Sequence, residues 1–160
     1  VEDPDGHIIR FGHCISHRNE KSSSLPTAIT IIERKPTIDE YQELTASVGW
    51  KVKDTNIAEK ILETPLFGAV AEEITTKKII GCVLLLGDGA SFYYLKDMMV
   101  HRDWQNKNVG TALMEKVNDW LEENAAPGSL VGLYTGENLA PFYRQFGFSE
   151  WFGMCRRIGG

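Results

Sequence analysis

The chain reads as a mixed α/β (α+β) domain, a mostly antiparallel central sheet flanked by helices. Three observations predict it. Short β-branched runs alternate with segments whose apolar residues recur at helical spacing. The apolar runs 66–74, 78–86 and 91–100 follow one another with only turns between them, which is a meander of hairpins. Beyond residue 100 the order changes to helix, strand, helix, strand, which places helices on the sheet's faces.

The elements follow in order. Residues 13–26 are polar and end in Lys-Ser-Ser-Ser-Leu-Pro, the composition of a linker. Residues 1–26 are therefore set apart as an N-terminal arm, and 27–160 as the folded domain. Residues 27–33 (TAITIIE) predict a strand that ends before Pro36. Thr37 and Glu40 have the spacing of a capping box, and Ile38, Tyr41, Leu44 and Val48 then recur on one helical face up to Gly49. Residues 54–63 predict a second helix, stopped by Pro65. The three hairpin strands come next, with Asp88-Gly89 as the turn before the third. Val109, Leu113, Val117, Trp120 and Leu121 line one side of a longer helix, which Pro127-Gly128 breaks. A strand at 129–134, a helix at 139–146 and a final strand at 148–158 complete the prediction.

Bulk properties exclude several functions. The net charge is −5, with Lys and Arg scattered, so no basic face for nucleic acid is expected. No apolar run approaches the roughly 20 residues of a membrane helix. Cys14, Cys82 and Cys155 form neither a disulfide framework nor a zinc pattern. His13-Cys14-x-x-His17 lacks a fourth ligand, so no metal is expected. A cytoplasmic location is the expectation.

One segment carries chemistry. Met98, Met99 and Val100 end a strand, a polar loop follows through Gln105, Asn106, Lys107 and Asn108, and Val109-Gly110-Thr111 opens the long helix. A first helical turn has unpaired N–H groups and partial positive charge, and small residues let a phosphate approach them. The segment has neither Gly-Lys-Ser/Thr nor the G-x-G-x-x-G of a dinucleotide site.

It resembles instead the acetyl-CoA motif of the GNAT acetyltransferase superfamily, Gln/Arg-x-x-Gly-x-Gly/Ala after a strand ending in Val. Gln105 and Gly110 match, and Asn108 stands in place of the first Gly. Asn138 to Phe148 (NLAPFYRQFGF) resembles a second element of that family, and the element order agrees over roughly residues 27–158. The resemblance implies the GNAT fold, acetyl-CoA as cofactor, and direct transfer of acetyl to a primary amine in a ternary complex. The expected acceptor is a small molecule, with a protein amine as the alternative. A non-catalytic acyl-CoA sensor is the competing class, motivated by Asn108.

The resemblance also implies roles. Tyr143 matches the general acid that protonates the departing thiolate. Asp97, on the strand before the loop, is the candidate general base, expected on the face opposite Lys96 because strands alternate, with Glu33 and Glu137 as weaker candidates. Met98 to Val100, Gln105 to Thr111, Asn138, Phe142 and Tyr143 are expected to hold the cofactor. In place of the motif's first Gly, Asn108 is expected to tolerate a positive φ, and as a preferred N-cap residue its side-chain oxygen could also take the N–H of Gly110 or Thr111. Trp50, Tyr93 and Tyr94 are expected to wall the acceptor site. A homodimer is compatible with this reading. Finally, residues 3–12 (DPDGHIIRFG) resemble the closing hairpin of glyoxalase/bleomycin-resistance (vicinal oxygen chelate) domains, which implies fusion to an upstream domain of that kind. Arg10 stands where metal-binding members carry Glu, so the resemblance brings no metal.

Overall fold

A computed structural model describes Pro26 and residues 28–158. The N-terminal arm, its glyoxalase-like segment and its His-Cys-His cluster lie outside the described residues. The elements are β1 (Ile29–Ile32), α1 (Ile38–Ser47), α2 (Thr55–Glu63), β2 (Phe67–Glu73), β3 (Ile79–Gly87), β4 (Phe92–Val100), α3 (Val109–Asn124), β5 (Leu130–Gly132) and α4 (Ala140–Arg144). The strands form one sheet in the order β1-β2-β3-β4-β5. Every pairing is antiparallel except the parallel β4–β5 pair. The predicted mixed, mostly antiparallel sheet is thus the observed one.

The last predicted strand is absent. Residues 148–157 carry no regular structure, and Trp151, Phe152 and Met154 are exposed. A strand needs a neighbour as well as β-branched or aromatic composition.

Two cores sandwich the sheet. On one face α3 buries Val109, Leu113, Met114 and Val117 against Ala69, Ala71, Val83 and Leu95. On the other, α1 and α2 bury Tyr41, Leu44, Ala58 and Leu62 against Val70, Cys82, Leu84 and Met99. Gly81 allows α3 to lie close. A Cβ there would stand 3.0 Å from the Met99 carbonyl and 3.3 Å from Val109. The start of α3 is therefore seated directly on the end of β4.

The capping box of α1 forms as predicted. Thr37 Oγ1 accepts from the Glu40 N–H at 3.3 Å, and Glu40 accepts from the Thr37 N–H at 2.8 Å. Arg34 then grips the same carboxylate with two bonds of 2.8 and 2.9 Å. That grip, more than the capping bond, holds the Glu40 carboxyl below its ordinary range.

Tyr93 is fully buried, and its hydroxyl is the buried side-chain polar atom without a partner among the described residues. Its ring packs edge-on against Trp120 at 6.0 Å. Burying an unpaired hydroxyl is costly, and removing it spares that cost. Tyr93→Phe is therefore expected to raise stability by about 1 kcal/mol, or Tm by about 3 °C. Scanning calorimetry of the two forms checks this, and a clear fall in Tm would contradict it.

Candidate functional site

The site is built on the second half of β4. β5 pairs with β4 only at Phe92, Tyr93 and Tyr94. β4 runs on to Val100, so from Leu95 onward it has left its parallel neighbour. On its other side, the His101 N–H bonds the Ile80 carbonyl at 2.8 Å. By strand alternation, the backbone groups of Val100 and Met98 turn away from β3, into the gap that β5 leaves. A strand edge not paired to another strand is what an extended amide-bearing chain pairs with.

The loop after β4 leads to the start of α3. Gln105 Nε2 bonds back to the Val100 carbonyl at 3.0 Å. The first intrahelical bond runs from the Ala112 N–H to the Asn108 carbonyl. The N–H groups of Val109, Gly110 and Thr111 precede it and face out of the helix end. Asn108 adopts the left-handed conformation, φ 60° and ψ 10°, and makes no side-chain capping bond. The expected cap by its side-chain oxygen is thus corrected. Asn serves here because it tolerates the conformation that glycine would supply. Asn106 also has φ 60°. Gly110 faces Phe142, whose Cζ would be 3.4 Å from an added Cβ. Lys107 Nζ lies 4.9 Å from the Trp104 ring centroid, within cation–π range. A row of outward N–H groups, a helix N-terminus and a lysine together favour negative charge here.

Asp97 departs from the expected alternation. It has φ 51°, and the β3–β4 register slips there: Cys82 faces Met99 and Leu84 faces Lys96, so two residues of β4 oppose Val83. This bulge turns Asp97 to the side of Lys96, and the two side chains form an ion pair. The expectation that they point to opposite faces is overturned. Tyr93 and Leu95 lie in the α3 core before the bulge, and Met98 and Val100 after it, while Met99 lies in the α1 core. Of the four non-glycine residues with positive φ among those described, Asp97, Asn106 and Asn108 belong to this bulge and loop. Such strain concentrates at functional sites.

Tyr41, from α1, donates its hydroxyl to Asp97 Oδ2 at 2.8 Å. Burial, and then the adjacent Asp97, push the Tyr41 phenol well above its ordinary value. Tyr143, from α4, lies on the other side of the sheet, among Val100, Met98 and the α3 residues. It is 8 % exposed, and burial raises its phenol. Its ring sits 5.0 Å from Phe142 and 5.9 Å from Phe148, both edge-on. Asn138 lies in a 3₁₀ turn (Glu137–Leu139) and is exposed, while the N-cap of α4 is Leu139. Arg144 is paired with Glu150.

The aromatic wall is not assembled as expected. Tyr93 is fully buried and cannot face a substrate. Trp50 is half-exposed, but it lies beyond the far end of α1. α1 runs along β4, with Tyr41 at Asp97, Thr45 at Met99 and Gly49 at Arg102. The Trp50 N–H bonds back to the Thr45 carbonyl at 3.0 Å, so Trp50 closes the C-terminal end of α1, at least one helical turn, about 5 Å, beyond Tyr41. Tyr94 lies on the other side of the bulge along β4. Tyr134, which sequence reading passed over, packs beside it with ring centroids 6.0 Å apart. Tyr134 also donates to the Met154 carbonyl at 3.0 Å.

Comparison with known proteins bears on the family and the fold. The family described as Acetyltransferase (GNAT) domain matches residues 66–150. A probable acetyltransferase from meticillin-resistant Staphylococcus aureus superposes with a TM-score of 0.74 at 23 % identity, covering 81 % of this chain and 99 % of its own. A GNAT-family acetyltransferase from Streptococcus pneumoniae gives a TM-score of 0.67 at 25 % identity, covering 82 % and 99 %. Glucosamine-6-phosphate N-acetyltransferase from Arabidopsis thaliana gives 0.64 at 17 %, again over 82 % and 99 %. No curated protein gives a significant match. No helix among the described residues is long and apolar enough to cross a membrane.

Proposed function

Because the chain belongs to the GNAT acetyltransferase family, whose members are acetyl-CoA-dependent acyltransferases, we propose that it acetylates a small-molecule primary amine at the β4–β5 gap. The observation that carries this reading is the opening of that gap beside the first turn of α3. An unpaired strand edge and a helix N-terminus lie end to end there. They fit the amide-bearing arm and the pyrophosphate of acetyl-CoA. Met98, Met99 and Val100 would hold the arm with Asn138, Phe142 and Tyr143. Gln105, Asn106, Lys107, Asn108, Val109, Gly110 and Thr111 would hold the phosphates. The bound cofactor supplies an activated acyl group.

The chain's own residues handle protons. An alkyl ammonium titrates near pKa 10, so the acceptor must lose a proton to become a nucleophile. Asp97, paired with Lys96, would take it. Burial keeps the Tyr143 hydroxyl protonated at neutral pH, the form a donor to a thiolate needs. Base and acid approach from opposite faces of the sheet. Tyr94 and Tyr134 offer an apolar wall to the acceptor's carbon skeleton. Transfer is direct in this reading: among the described residues, the Cys82 thiol is fully buried and pushed up by that burial, and exposed Cys155 lies outside both motifs.

The left-handed Asn108 keeps the conformation glycine would provide, which supports cofactor binding in the enzyme and in the sensor alike. Acetyl-CoA at a hundredfold its Kd is expected to stabilise the protein by roughly 2.7 kcal/mol, a Tm rise of roughly 5–10 °C. Thiol release across a panel of primary amines separates the two classes. A thermal shift without release on any amine supports the sensor, and no shift at millimolar acetyl-CoA removes the proposal.

A further inference from the structure

We propose that Tyr41 is a positioning residue for Asp97, holding the carboxylate at the β4 bulge so that Oδ1 faces the acceptor amine. The inference rests on Asp97 being the base. The Tyr41 hydroxyl and the Lys96 ammonium both donate to Oδ2, and neither uses Oδ1. The proton would pass from the acceptor nitrogen to Oδ1: an N–H bond breaks, an O–H bond forms, and the nitrogen keeps the electron pair.

Of the two donors, Tyr41 is the one able to fix direction. Lys96 has a flexible side chain 31 % exposed, and ordering such a chain gains little. Tyr41 is 4 % exposed, locked among Leu44, Cys82 and Met99. Its backbone is equally fixed. Glu40, the preceding residue, is clamped by Arg34 and by the capping box. One turn later, Thr45 Oγ1 donates to the Tyr41 carbonyl at 2.7 Å. At the other end of the bond, the Cys82 thiol lies 3.6 Å from the Asp97 carbonyl. A non-glycine residue at φ 51° needs such support to persist. The raised Tyr41 phenol stays a donor across the working pH range.

The test is a double-mutant cycle of Tyr41→Phe and Asp97→Asn. It is read as thiol release from acetyl-CoA with the fastest amine of the panel and with water as acceptor. All forms are assayed below their own melting transitions, and Tyr41→Met supplies a second hydroxyl-free form should Phe not fold. Tyr41→Phe is expected to lower kcat roughly tenfold with KM for acetyl-CoA unchanged, the effect of losing one hydrogen bond to a charged group. In the Asp97→Asn background the same change should cost less than about twofold, since the two residues act as one unit. A full tenfold loss in both backgrounds would overturn the role of Tyr41 while leaving Asp97 as base. A kcat for Tyr41→Phe near wild type would overturn it likewise. Near-normal kcat for Asp97→Asn removes the base assignment itself.

Discussion

Tyr143→Phe is expected to lower kcat by on the order of 10²-fold, the range of a lost general acid. The substitution leaves the packing intact. The ring's edge-on contacts with Phe142 and Phe148 need no hydroxyl. Folding stability and the Kd for acetyl-CoA should therefore change little. The loss should appear under conditions where chemistry limits turnover, because slow product release would mask it. Single-turnover thiol release gives that condition. A rate within about threefold of wild type would reduce Tyr143 to a packing residue.

Gly110→Trp is expected to abolish cofactor binding. An alanine Cβ at this position meets Phe142 at ordinary contact distance, 3.4 Å, and Val100 at 3.8 Å. An indole cannot enter that space and must lie across the outward N–H groups of the first helical turn. Phosphate then has no approach to them. The stabilisation by acetyl-CoA should fall to about nothing, while the Tm without ligand shifts modestly. Gly110→Ala is the control. It should keep the ligand shift and add up to about 1 kcal/mol of stability, the helix preference of Ala over Gly. A normal ligand shift in the Trp form, measured by titration calorimetry as well as melting, would place the pyrophosphate elsewhere.

Much of the fold was legible because its signals are local. Periodicity in α3, the Thr37–Glu40 capping box and the Asp88 turn each depend on neighbours in sequence. Asp88 Oδ1 accepts from the N–H groups of Ala90, Ser91 and Phe92, as a turn aspartate does. The loop from Gln105 to Gly110 was legible as a motif.

What escaped depends on contacts distant in sequence. Tyr41 read as one apolar stripe residue, and nothing local ties it to Asp97, 56 positions on. Tyr93 and Tyr94 look alike as letters, yet alternation buries one and leaves the other half-exposed. Trp50 was expected at the acceptor site only through the resemblance, and no local signal shows that it closes the end of α1 away from Tyr41. Residues 148–158 have strand composition, but a strand also needs an edge to join. The bulge at Asp97 left no composition signal.

That bulge fixes the phase of everything downstream in β4. One extra residue shifts the odd–even reading by a step, so even-numbered Met98 and Val100 inherit the face held by odd-numbered Tyr93 and Leu95. Loss of that one extra residue would therefore heal the ladder rather than reverse it. Lys96 would be followed directly by Met98 opposite Val83, and Met98, Met99 and Val100 would keep the faces they hold. The position is thus dispensable to the alternation of β4 and needed only by the site. A one-residue deletion at 97 should leave the fold standing while removing the carboxylate that Tyr41 holds, and reinsertion of glycine, which adopts positive φ readily, should restore the bulge without restoring the base.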